Sequence, residues 1–249
     1  MLKFNRVSAA YGAARVLQDV NLTVCPGRLT ALVGRNGSGK STLLSCVNQQ
    51  TAYSGEILLN GENLAALAPK ERAKKIAIAP QNLPSPHITA REMAAFGRNP
   101  WLDFTGRLRA EDERIVQEAL TRCGLEQLAE RYVDTLSGGE KQRLVLAMIL
   151  AQKTPLALLD EPTAHMDHKY QAEFLELLSH QEGTFLVILH DLSLAVRYAR
   201  DIIVLDGGQA VFCGSREECL EKEILEKTFG LRRFTAREGD QTRIFFSAD

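Results

Sequence analysis

Long hydrophobic runs are missing from this sequence. The longest, Leu144 to Ala151, falls far short of the roughly 18 to 20 apolar residues that span a bilayer, so the chain is not expected to cross a membrane itself. An excess of charge of either sign is missing too. With Lys and Arg totalling 30 against 31 Asp and Glu, a formal net charge of -1 leaves no global basic field to gather nucleic acid or an acidic membrane surface. The opening stretch MLKFNRVSAAYG has neither the long apolar segment nor the small-residue cleavage site of a secretory signal, which makes a cytosolic location the expectation. Cysteine is scarce: Cys25, Cys46, Cys123, Cys213 and Cys219 are odd in number and form no C-x-x-C pair. They read as reduced packing residues, with neither disulfides nor zinc. Internal repeats, low-complexity linkers and heptads are also absent. What remains is 249 residues, 45% apolar and 24% charged, an ordinary composition for a folded chain of one large α/β domain or two small ones.

The first 33 residues read as short β stretches, Leu2 to Val7, Val20 to Val24 and Leu29 to Val33, punctuated by Tyr11-Gly12 and Pro26-Gly27. A helix is expected over Ser41 to Gln49, a strand over Gly55 to Asn60, a charged helical turn over Pro69 to Lys75 and an apolar stretch over Ile76 to Ala79. From about Asn82 to Gln152 helical periodicity takes over, in Thr89 to Arg98, Glu111 to Cys123 and Glu140 to Ala151, which reads as a helical subdomain inserted into an α/β core. The expected organisation is one domain over 1–249, with a core of 1–81 and 153–249 and a helical insertion of 82–152. Apolar runs at Leu156 to Leu159, Phe185 to Leu189 and Ile202 to Leu205, alternating with helices, imply a parallel sheet. The tail reads as a strand over Gln209 to Cys213, a helix over Glu217 to Phe229 and two strands around Glu238-Gly239-Asp240.

Between the buried run Leu29 to Val33 and the helix that follows it, Gly34, Arg35, Asn36, Gly37, Ser38, Gly39, Lys40, Ser41 and Thr42 fit G-x-x-x-x-G-K-[ST]. Glycines let such a loop curl so that successive amide N–H groups point inward, and the helix N-terminus adds partial positive charge where a β-phosphate would sit. Lys40 would neutralise the β and γ oxygens, and Ser41 has the hydroxyl position of a Mg²⁺ ligand. Leu156 to Leu159 ends in Asp160 and Glu161. In a parallel sheet the carboxyl ends of the strands face the ligand crevice, so Asp160 is expected near Mg²⁺ and Glu161 where it can align a water for attack on the γ-phosphate.

Leu136, Ser137, Gly138, Gly139, Glu140, Lys141, Gln142 and Arg143 open a nearly all-apolar helix. A capping box of Ser137 with Glu140 accounts for part of this pattern. It does not account for two glycines in the first turn, each of which disfavours a helix by about 1 kcal/mol relative to alanine. Something is expected to approach that backbone closely, and a glycine helix start offers a second phosphate-binding surface.

Taken together, these residues resemble the ATP-binding subunits of ABC transporters, over nearly the whole chain and with the motifs in the family's order. The resemblance implies a P-loop NTPase core with an N-terminal antiparallel β region and an inserted helical subdomain. It implies that Tyr11 stacks on adenine, that Gln81 senses Mg²⁺ and the membrane partner, that Asp167 is the D-loop aspartate, and that His190 contacts the γ-phosphate beside the catalytic Glu161. The D-loop departs from the family's pattern at His165 and Met166. The implied cofactors are ATP and Mg²⁺, with Ser41, Gln81 and Asp160 as metal ligands. The implied assembly is a homodimer sandwiching two ATP molecules at the cytoplasmic face of the membrane, with two permease subunits and an extracytoplasmic substrate-binding protein, and no nucleic acid. The spacing from Gln81 to Gly97-Arg98-Asn99-Pro100-Trp101 resembles importers of iron-siderophore, haem or cobalamin type. On that reading Phe96 to Phe104 is the docking surface, although Trp101 could equally fill the core of the helical subdomain. The rival functions are a soluble ABC-type ATPase, serving iron-sulphur cluster assembly or the ribosome, and a non-hydrolysing regulatory module. The module would be expected to lose Lys40 or Glu161, and both are present.

Overall fold

A computed structural model describes residues 1–79, 86–164, 166–238 and 241–248, with nothing described of the side chains of residues 238 and 241. In chain order the strands are β1 (Leu2–Tyr11), β2 (Ala14–Val24), β3 (Leu29–Gly34), β4 (Tyr53–Leu59), β5 (Glu62–Asn63), β6 (Ile76–Ile78), β7 (Leu156–Leu159), β8 (Thr184–Ile188), β9 (Asp201–Asp206), β10 (Gln209–Ser215), β11 (Arg232–Glu238) and β12 (Gln241–Ser247). The α-helices are α1 (Lys40–Val47), α2 (Pro69–Ala73), α3 (Ala90–Ala95), α4 (Ala110–Arg122), α5 (Gly138–Gln152), α6 (His168–Ser179), α7 (Leu192–Tyr198), α8 (Arg216–Glu221) and α9 (Ile224–Phe229). The chain packs as two compact units, Met1–Leu67 with Thr184–Asp249, and Ala68–Gly183.

The first unit holds an antiparallel sheet in the order β2-β1-β4-β5, strands in the order β10-β9-β3-β8, and the hairpin β11-β12. β3 runs parallel to both β8 and β9, and every residue of β3 is buried, as expected of a strand covered on both faces. Sequence reading makes β1 and β2 too short, because they continue through irregular pairings. Arg6 and Asp19 take left-handed conformations there. Side chains satisfy both displaced amides: Arg6 donates to Asn21 Oδ1 (2.9 Å) and Asp19 to Ser8 Oγ (2.9 Å). Such bulges put polar residues inside a strand and break its alternation. The single helix expected over Glu217 to Phe229 is two helices, α8 and α9, parted at Glu223, which adopts φ 55°.

In the second unit β6 pairs in parallel with β7, and α5 packs against α3, α4 and the 3₁₀ segment Phe96–Trp101. The helix expected over Thr89 to Arg98 is α3, started by a Thr89–Glu92 capping box, followed by that 3₁₀ segment. The switch to 3₁₀ lets the backbone lie on the end of α5: a Cβ added at Gly97 would stand 2.1 Å from the Met148 carbonyl oxygen. Cys46, Cys123 and Cys219 are buried and Cys25 is half-buried, but Cys213 is exposed on β10, against the expectation that all five serve as packing residues. All five are free thiols. Among the described residues no helix is long and apolar enough to cross a membrane.

Candidate functional site

In the first unit the loop Arg35 to Gly39 leaves β3 at its carboxyl end and enters α1. Gly37 and Gly39 adopt φ 80° and 98°, in the region that L side chains avoid. Gly39 is the N-cap of α1, and no side chain caps that helix. The first-turn N–H groups of an α-helix have no partner within the helix, so this end presents bare donors at the positive end of its dipole. Lys40 is buried, and its Nζ donates to the carbonyls of Gly34 (2.9 Å) and Arg35 (3.2 Å), which lays the ammonium across the loop. The buried Ser38 hydroxyl makes no hydrogen bond among the described residues, an orphan polar atom inside the loop. Asn36 and Ser41 are exposed and Thr42 is half-buried.

His190 leaves β8 at the matching edge, since Leu32 of β3 pairs with Ile188 and the Leu189 amide donates to the Leu32 carbonyl (3.2 Å). His190 is exposed, and Asp191 after it caps α7 by accepting from Ser193 N (2.7 Å) and Leu194 N (3.1 Å). Tyr11 ends β1 with its ring exposed and its hydroxyl 3.0 Å from Thr51 Oγ1.

In the second unit all four residues of β7 are buried, and Asp160 and Glu161 follow at its carboxyl end, both half-buried. Glu161 adopts φ 48°. Non-glycine residues rarely take this conformation, and where they do the cost of order 1–3 kcal/mol is often stored at a functional site. Asp167 is exposed at the N-cap of α6, and Gln171 ties that helix to the preceding turn by donating to the Thr163 carbonyl (3.1 Å). Gln81 and His165 lie outside the described residues.

The expected capping box stands at the start of α5. Glu140 N donates to Ser137 Oγ (3.3 Å), and Glu140 Oε2 accepts from Ser137 N (2.7 Å) and Ser137 Oγ (2.7 Å). These bonds, the hydroxyl's first, hold the Glu140 carboxyl below the usual glutamate range. Nothing in the unit's own packing asks for glycine at the next two positions. A Cβ at Gly138 would meet nothing within 4 Å, one at Gly139 would make only an ordinary 3.7 Å contact with the Tyr170 ring, and neither residue has positive φ.

Two further features of this unit escape sequence reading. A cleft of about 620 Å³ lies among Ile88, Arg91, Ala95, Phe96, Leu102, Leu108 and Val116, so the apolar surface extends beyond Phe96–Phe104 onto α3 and α4. Beside it Arg98 and Asp112 form a buried ion pair, Nε to Oδ1 2.9 Å. Burial pushes the Asp112 carboxyl up, but hydrogen bonds from the Arg109 amide and the Arg98 guanidinium outweigh it and leave the group below the usual aspartate range. Both features join residues too far apart in sequence for any local pattern to reveal them.

A strand, an uncapped glycine-rich turn and a helix with a lysine laid over its entry define a nucleotide-binding fold, and sequence and structure comparisons agree. The ABC transporter family matches residues 17–164. The chain belongs to that family, binds ATP and is an ABC-type ATPase. It is 40% identical over 237 residues to the ferric enterobactin transport ATP-binding protein of Escherichia coli (strain K12), covering 93% of this chain and 88% of that one. It is 37% identical to the hemin import ATP-binding protein of Thermobifida fusca (strain YX), covering 92% and 82%. Among solved structures it resembles an ABC transporter in an inward-facing conformation (TM-score 0.83, 26% identity, 99% and 96% covered). It also resembles a dimeric post-hydrolysis ATP-binding cassette bound to ADP and Pi (TM-score 0.72, 29% identity, 87% and 99% covered).

Proposed function

We propose that this chain is the ATP-hydrolysing subunit of an importer for iron chelates of siderophore or haem type, with cobalamin as the related cargo, working at the cytoplasmic face of the cell membrane. The observation that carries the cargo is the set of relatives, 37–40% identical over at least 90% of this chain, whose names refer to ferric enterobactin, iron(3+)-hydroxamate, siderophore or hemin transport. No observation favours the alternative, a soluble ATPase of iron-sulphur cluster assembly.

The residue roles follow from chemistry. The amides of Gly37 and of Gly39 to Thr42 and the Lys40 ammonium hold the phosphates of ATP, with Gly34, Asn36 and Ser38 shaping the loop, and the exposed Tyr11 ring offers a face to adenine. Ser41, Gln81 and Asp160 each carry an oxygen donor, the chemistry that suits Mg²⁺, a hard cation that keeps most of its remaining contacts to phosphate and water, and these are the residues that would hold it. When bound, the ion supplies neutralisation of phosphate charge. Glu161 aligns the attacking water, and His190 steadies the charge that develops on the γ-phosphate. The glycine-bearing start of α5, Ser137-Gly138-Gly139, serves a second copy of the chain. Its glycines answer to no neighbour in their own unit, so the group that needs the close approach is the γ-phosphate of ATP held by the partner, with Asp167 facing the same junction. Each dimer then carries two composite sites, and hydrolysis requires both copies.

The cleft around Phe96 and Leu108 is the docking surface for a permease subunit, two of which complete the channel, with a binding protein outside delivering cargo. Deleting the gene should abolish growth on chelated iron or haem as sole iron source, and leave growth on a sugar, amino acid or peptide source unchanged. The reverse pattern overturns the cargo and leaves the ATPase standing.

A further inference from the structure

The C-terminal end of α5 is closed by side chains from the 3₁₀ segment Phe96–Trp101. The last carbonyls of a helix have no partner within it and carry the negative end of its dipole. Here Arg98 Nη1 donates to the Ala151 carbonyl (2.8 Å) and Trp101 Nε1 to the Gln152 carbonyl (2.7 Å), while the Lys153 amide turns back to Leu150 (3.1 Å). Arg98 is buried and also grips Asp112 in the first turn of α4. The indole stands under two cations, Lys74 Nζ at 5.7 Å and Arg98 Cζ at 5.4 Å from its ring centre, yet is 42% exposed. Gln152 completes the junction, its Nε2 donating to the carbonyls of Ala73 (2.5 Å) and Ile76 (3.1 Å), where α2 gives way to β6. Gly97 lies so close to Met148 that the segment cannot lift away without breaking this seat.

From this geometry we infer that Arg98 and Trp101 are positioning residues for the signature motif at the opposite end of α5. The inference rests on the docking surface and the signature contact proposed above. α5 is capped at both ends, by Ser137 and Glu140 at one and by Arg98 and Trp101 at the other. Its 15 residues make a rod about 22 Å long. One end of the rod is the signature, and the other is bonded to the segment that supplies Phe96 and Asn99 to the cleft. A partner pressing on the cleft moves Ser137, Gly138 and Gly139 as one body with Phe96–Trp101, because the Leu150, Ala151 and Gln152 carbonyls that end α5 are all bonded, two of them to that segment. Trp101 therefore works through its N–H, and is neither core filler nor chiefly a contact for the partner.

The test uses the full subunit assembled with its permease in lipid vesicles. Trp101→Phe keeps an aromatic ring beside the cations and loses the N–H together with the second ring of the indole. It should leave the KM for ATP and the affinity for the permease unchanged, and lower the ratio of assembled to isolated kcat by about fivefold, the scale at which residues along a coupling route act. Arg98→Lys, which keeps the charge at the helix end, should recover more of that ratio than Arg98→Met. An unchanged ratio in Trp101→Phe overturns the inference. So does an equal fall in isolated and assembled kcat, which would mark a purely local structural role. Phe96→Asp tests the docking reading separately: it should abolish assembly, and normal assembly of that variant removes the docking surface itself.

Discussion

Glu161 is the residue on which the reading of the chemistry turns. It follows a fully buried strand and holds a left-handed backbone that few carboxylate residues adopt. Glu161→Gln is nearly isosteric and leaves Lys40 and its loop untouched, so nucleotide binding should persist. Turnover should fall about 10²- to 10³-fold, the usual cost of removing one group that acts on the transition state. ATP should then hold the dimer closed, and turnover assays beside size-exclusion chromatography check both halves of this expectation. Turnover close to the unsubstituted rate would remove Glu161 from the reaction. At this scale most of the candidate site was legible, because a phosphate loop is a contiguous pattern whose residue types follow from the backbone shape they must allow. The left-handed turn at Glu161 was not, since no glycine or asparagine marks it. Nor was the Trp101 to Gln152 bond, which spans 51 positions and depends on how two helices meet.

At the scale of elements, glycines separate two kinds of demand. A side chain at Gly97 collides with the backbone of its own unit, whereas one at Gly138 meets only space. Gly97→Ala should therefore cost about 1–3 kcal/mol of folding stability through overpacking. Gly138→Ala should leave stability unchanged or raise it by about 0.5 kcal/mol, since glycine is the poorer helix former. ATP-driven dimerisation of the Gly138 variant should nonetheless weaken. Thermal unfolding and light scattering on the two variants check this pair, and a Gly138→Ala variant that dimerises normally would deny the signature a contact in trans. The elements themselves were readable wherever one period held: β3, β7, β8 and β9 as buried runs, α4 and α5 as helices. Three of the misses occur where a non-glycine residue takes positive φ, at Arg6 and Asp19 within strands and at Glu223 between α8 and α9, and another where α3 gives way to the 3₁₀ segment Phe96–Trp101. Local composition gives no sign of those turns, because neighbouring side chains and tertiary packing impose them.

For the molecule as a whole, the thiols report on each unit independently. Burial pushes Cys46 up to about 11 and Cys219 up to about 12 in the first unit, and Cys123 up to about 12 in the second. The thiolate is the reactive form, so these three should stay silent to a thiol reagent at neutral pH until their unit opens. Cys25 and Cys213, neither of them buried, should label in native buffer, Cys213 slowly for its exposure because burial of the thiol raises its pKa and its Sγ donates to the Thr23 carbonyl. Mass spectrometry along a denaturant series resolves the order, and rapid native labelling of Cys123 would contradict the packing of α4 on α5.

The cleft lined by Phe96, Leu102 and Leu108 also bears on how much of the protein a cell keeps. Phe96 is 49% exposed and Leu108 37%, and Phe104 beside them is fully exposed, an apolar patch of the kind that monomeric proteins seldom leave open. On the docking reading proposed above, a copy made in excess of its permease would display that patch to chaperones and proteases for as long as it stayed unassembled. Its steady-state abundance would then be set by the scarcer component, so that stoichiometry would be enforced by the lifetime of orphan subunits as well as by their rate of synthesis.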